Sequence, residues 1–230
     1  MLAYRVFPHL AAARPGKPGH PLYEHRPQRG GRIDHPDYHV WYLSRFSAAA
    51  CGETFGNLSR WDASMFEFPQ IPGSSRAIVV YALPDDLRVL ALDDPAQLVR
   101  LGLRPTQTVV RNLAVTQAWG HRIWSETDPH GGDRRWQAVS WWSYHRPAWT
   151  VLGSWLRPKV IRVEPLDISH PALIDAAKAL QRIIFSWILK APDGPGETVE
   201  GQEVDTAPMR SGVSNEDNNL KTRALAAGMR

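Results

Sequence analysis

Residues 30–56 read GGRIDHPDYHVWYLSRFSAAACGETFG, and three kinds of chemistry are spaced along that run. A Gly-Gly turn delivers Arg32, a short apolar strand delivers Tyr42, and a small-residue helix beginning at Ser47 delivers Glu53. VWYLS (40–44) has the β-branched and aromatic content of a strand. Ser47 is a residue type that caps helices, and the alanines after it are the best helix formers, so Glu53 is expected in the second helical turn. A strand running into a helix in this way lets a cation, a phenol and a carboxylate converge on one cleft.

Outward from that run the pattern stays mixed. YRVFP (4–8) alternates as a strand does, and PGKPGHP (15–21) is loop, because its prolines lack donors and its glycines break regular structure. RAIVVYALP (76–84) and LRVLALD (87–93) are β-rich and parted by Pro84-Asp85-Asp86, which predicts a hairpin. Residues 94–103 and 106–126 predict two helices, the first with Pro95 in its first turn. WQAVSWW (136–142) is a further strand, and PKVIRVEPL (158–166) is another that Pro165 keeps near an edge. Residues 170–190 carry an amphipathic stripe through Leu173, Ile174, Ala177, Leu180, Ile184 and Trp187, expected to lie on the sheet. The sum is an α+β fold: a single domain, residues 1–190, with a central mixed or antiparallel sheet and packed helices. Residues 191–230 hold little apolar content and are expected to form a disordered tail.

The 230-residue chain is 43% hydrophobic, enough for one core, and no stretch approaches the roughly 20 apolar residues of a membrane span. No membrane partner and a cytoplasmic location are therefore expected. The single Cys51 excludes an internal disulfide and multi-cysteine zinc patterns, and reads as a small buried residue. Residues 1–192 hold sixteen acids against twenty-three bases, net +7, while residues 193–230 hold seven acids and four bases. Such a body suits an anionic ligand such as a nucleotide diphosphate, and equally nucleic acid or an acidic partner. The arginines are dispersed and no lysine block exists, so direct nucleic-acid binding is not expected. His35 and His39 stand four apart, but Pro36 lies between them and no third ligand has useful spacing, so no metal is expected. The tryptophans of residues 136–155 are expected to serve core packing. The absence of a GxGxxG after a strand leaves a Rossmann mode unsupported.

YRVF near the start, the GGR turn, a strand ending in YLS before a small-residue helix with glutamate, the TQAWGHRIW segment and a strand ending in serine at WQAVS together resemble the RES domain. That resemblance, over about residues 4–166, implies a fold related to ADP-ribosyltransferases. It also implies cleavage of the nicotinamide N-glycosidic bond of NAD, which would be substrate rather than cofactor. Many such domains are toxins of RES-Xre toxin-antitoxin modules, so an Xre-type antitoxin is the implied partner. Carried over by motif, the site is Arg32, Tyr42, Glu53 and Ser140. A carboxylate beside the ribose stabilises oxocarbenium-like charge, the role expected of Glu53. Arg32 offers a fork of donors to the pyrophosphate, with the backbone at Gly31 approaching the same anion. Tyr42 offers a face and a hydroxyl to nicotinamide, and Ser140 a hydrogen bond to ribose or amide. Asp34, and Trp141 after the serine, depart from the family pattern, and Asp34 is expected to place negative charge beside the phosphate site. Two other readings are a catalytically inactive nucleotide- or partner-binding module of the same fold and a basic nucleic-acid-binding protein.

Overall fold

In the computed structural model, which describes residues 1–185, the YRVFP run becomes an eight-residue strand, β1 (Leu2–His9). It is followed by β2 (Trp41–Ser44), α1 (Ser47–Phe55), β3 (Trp61–Asp62), β4 (Ser75–Ala82) and β5 (Val89–Ala91). Next come α2 (Pro95–Leu101), α3 (Pro105–Val109), α4 (Leu113–Ser125), β6 (Ala138–Trp142), β7 (Thr150–Ser154), β8 (Lys159–Pro165), α5 (Pro171–Ala179) and β9 (Ile184–Phe185). The expected tail, 191–230, and the last residues of the expected final helix, 186–190, lie outside the described residues.

Seven strands form one sheet in the order β5-β6-β7-β2-β1-β4-β8. Five of its six pairings are antiparallel and one, β5 with β6, is parallel, so the sheet is mixed. β8 is an edge strand, where Pro165 costs no ladder hydrogen bond. Strand parity divides the side chains between two faces. One face carries Ala3, Phe7, Trp41, Leu43, Val79, Tyr81, Ala138 and Leu152 and is closed by the loop after β1, where Tyr81 Oη donates to the Pro21 carbonyl. The other carries the helices in two groups: α1 and α5 over Val6 and Ile78, and α2 and α4 over Val139, Trp141 and Val151. Of the tryptophans at 136–155, expected to serve packing, Trp141 and Trp149 are buried core side chains, and Trp136 and Trp155 pack partly buried against the core.

Four expectations are corrected. The β-rich runs at 76–84 and 87–93 are not a hairpin: β4 spends its edges on β1 and β8, and β5 lies at the far edge of the sheet beside β6. Phe46, not Ser47, is the N-cap residue of α1, and no side chain caps it. The long helix at 106–126 is broken, because Val110 is extended (ψ 146°) and Asn112 caps α4 with its side chain. The final helix stops at Ala179; Gln181 has φ 53°, and the chain turns out to pair Ile184 and Phe185 in parallel with Trp61 and Asp62.

Candidate active site

Between the two helix groups a cleft of about 320 Å³ opens onto the sheet. Its floor is Tyr4 and Val6 of β1, Tyr42 and Ser44 of β2, Trp141 and Val151; Arg32 stands on one wall and Glu53 of α1 on another.

Arg32 is held by its neighbours on both sides. Ile33 is fully buried in a slot between Gly120 of α4 and Gly153 of β7, where a Cβ at those positions would come within 2.7 and 2.5 Å of its side chain. No larger residue fits there without displacing Ile33. The helix break described above leaves the carbonyls of Thr108 and Val110 free, and Arg32 Nη1 donates to both, at 2.9 and 2.8 Å. Burial pulls the Arg32 guanidinium pKa down, and the nearby charge of Glu53 partly opposes that shift. With Nη1 occupied, the remaining donors of the fork are those available to an anion.

The Tyr42 hydroxyl, expected to meet nicotinamide, is engaged within the protein, while its ring lines the cleft. Its hydroxyl accepts from the Ile33 N–H at 2.9 Å and donates to Asp34 Oδ1 at 2.7 Å, and burial with that carboxylate partner pushes its pKa far above the usual phenol range. Asp34 Oδ2 takes the Gly31 N–H at 2.6 Å, so the Gly31 amide is not free for a phosphate either. Asp34, only 5% exposed, is therefore the staple of the Arg32 turn and not a stray charge beside the ligand. Gln117 of α4 adds a hydrogen bond to the Gly31 carbonyl at 3.1 Å. Tyr42 keeps its ring in the cleft lining, edge-on to Trp141.

Ser140 is not in the site. Val139 and Trp141 face the cleft side of β6, so Ser140, between them, faces the opposite side of the sheet with Ala138. The serine that bonds Glu53 is Ser143, buried at the start of the loop between β6 and β7, whose hydroxyl donates to Glu53 Oε1, while Ser44 of β2 lines the cleft itself. Ser143 Oγ in turn accepts the backbone N–H of His145 at 3.0 Å and of Arg146 at 3.3 Å, which locks its orientation. α1 and this loop meet through Gly52: a Cβ there would stand 2.8 Å from Cη2 of Trp149, so the residue before Glu53 must be glycine for the Trp149 ring to lie on the helix. Strand parity puts residues 140 and 143 on opposite faces, and the turn-forming SYHRP after β6 is the signal that a serine there can bond its own loop.

The geometry thus sets an anchored guanidinium and a hydrogen-bonded carboxylate on two walls of one cleft in an α+β domain. Residues 2–175 match the RES domain. The chain belongs to the RES domain family. Among solved structures it is similar to the crystal structure of the M. tuberculosis MbcT-MbcA toxin-antitoxin complex, with 16% identity and a TM-score of 0.51 over 78% of this chain and 88% of that one. At that identity the likeness shows a shared fold. No curated protein matched.

Proposed function

We propose that the protein is an NAD-consuming enzyme that breaks the nicotinamide N-glycosidic bond, and that it acts as a RES-type toxin restrained by a cognate antitoxin. The observation that carries this reading is the placement of Arg32 and the Ser143-bound Glu53 on the walls of one cleft. In the reaction the bond between ribose C1′ and the nicotinamide nitrogen breaks, its electron pair leaves with neutral nicotinamide, and positive charge develops on the ribose. Glu53 orients the ribose hydroxyls and stabilises that charge; the free edge of Arg32 binds the pyrophosphate. The ADP-ribosyl group then passes to water, inorganic phosphate or a protein nucleophile, each of which gives a distinct product. Membership of the RES family, and the fold shared with a chain of a toxin-antitoxin complex, support the toxin reading and the antitoxin partner. The inactive-module reading rested on Asp34 and Trp141; the Asp34 carboxylate is hydrogen-bonded inside the Arg32 turn, and Trp141 is a buried side chain of the cleft floor.

The test is free nicotinamide. Wild type incubated with NAD is expected to release it, and Glu53→Gln, which removes the charge but keeps the shape, to release it about a hundredfold more slowly or less. Equal release from the two proteins sinks the assignment.

A further inference from the structure

His35 and Asp37 lie at the tight turn of HPDY, where His35 and Tyr38 form an isolated antiparallel bridge, and His121 reaches them from α4. His35 Nδ1 lies 3.4 Å and His121 Nε2 3.3 Å from the same oxygen, Asp37 Oδ2, and the two imidazoles stack at 3.9 Å. One ligand atom from each residue falls within 4.8 Å of the other two. We propose that these three side chains form a binding site for a divalent transition ion, zinc by preference.

The distances carry the choice of ion. Ligand atoms bonded to tetrahedral zinc at about 2.0–2.1 Å stand about 3.3–3.4 Å from one another. Two of the three separations here already have that length, the third lies within 4.8 Å, and ligation requires the two partly exposed rings to swing out of their stack so that both lone pairs point at one ion. Two imidazoles and one carboxylate suit zinc, and a set this short of oxygen ligands does not suit calcium. Ligation displaces one long hydrogen bond, from the Asp37 N–H to His35 Nδ1 at 3.3 Å. The side chains are 28%, 53% and 38% exposed for His35, Asp37 and His121, so the fourth position is open to water and the ion enters from solvent.

The place of the site gives it a consequence. It ties the segment 31–38 to α4, the two parts already joined by Ile33 against Gly120 and by Gln117 with the Gly31 carbonyl, and that joint holds Arg32 in the cleft. A bound ion is a further clamp on the same joint. The chain spacing concealed this, because His121 is 84 residues from Asp37 and His39, the apparent partner of His35, is instead buried against Trp41.

The experiment uses the full chain stripped of metal and does not depend on the NAD reading. Titration with zinc is expected to show one equivalent bound, and cobalt the intense visible absorption of a tetrahedral centre. At zinc a hundredfold above its dissociation constant the melting temperature is expected to rise by about 5 to 10 °C. Asp37→Asn and His121→Gln, exposed substitutions whose folding is checked by circular dichroism, are each expected to weaken zinc binding at least tenfold. Absence of saturable binding to wild type overturns the proposal. So does either variant binding zinc as tightly as wild type, which would place the ion on other histidines.

Discussion

Replacing Ser143 with alanine separates the role of this serine from that of Ser140. The Ser143 hydroxyl donates to Glu53 and accepts two backbone N–H groups, so Ser143→Ala leaves a carboxylate short of its donor and two loop amides without their acceptor. A hydrogen bond to a charged group contributes about 1.5–3 kcal/mol, and part of the amide loss is recovered by water, so about 2–3 kcal/mol of stability is expected to go. For a domain of this size that lowers the melting temperature by about 5 to 10 °C. Glu53, no longer held, is expected to slow nicotinamide release about ten- to a hundredfold, the scale on which small misplacements act. Ser140→Ala touches neither quantity: its hydroxyl has no hydrogen-bond partner among the described residues and lies on the other face of the sheet. Differential scanning fluorimetry and a nicotinamide assay on both variants decide the matter. Ser140→Ala abolishing release while Ser143→Ala spares it would refute the geometric argument.

Arg32→Ala is expected to weaken NAD binding by about ten- to a hundredfold, and Arg32→Lys by less, since lysine keeps the charge and loses the fork; calorimetric titration showing unchanged affinity for both rules Arg32 out as the anion site. Tyr42→Phe removes the hydroxyl shared by the Ile33 N–H and the buried Asp34, and is expected to cost about 1–3 kcal/mol in urea unfolding and to raise KM through a loosened Arg32 turn; unaltered stability contradicts the staple. Both ring nitrogens of His39 are buried without a hydrogen-bond partner among the described residues, and burial drives its pKa down from 6.5 to about 4. The unfolded chain therefore takes up a proton that the folded one refuses, so its share of stability is present above pH 6.5 and is lost as pH falls towards 4. A melting profile of His39→Phe as steep as that of wild type across that window discounts the effect.

Local composition and periodicity determined much of this protein before any contact was known. β1, β2, α1, β6 and β8 stand where alternation, alanine content and proline placed them, because those signals act over a few residues. The same signals put Arg32 and Glu53 at the ends of a turn and a helix flanking one strand, and both line the cleft. What tertiary structure alone decided were the choices among partners distant in sequence. β5 could complete a hairpin by its composition, but β4 had longer partners on both edges. The break at Val110 was invisible to helix propensity, and it is what frees two carbonyls for Arg32 some 76 and 78 residues away. Asp34 read as a charge opposed to the ligand until Tyr42 and the Gly31 amide were seen to absorb it. Ser143 meets Glu53 where the loop after β6 and α1 pack through Trp149 on Gly52, a contact between segments 97 residues apart whose geometry no local pattern encodes. Residue types in sequence name the chemistry available to a site; packing between distant segments selects which of those side chains meet, since each meeting depends on the volume and hydrogen-bonding capacity of both partners at once.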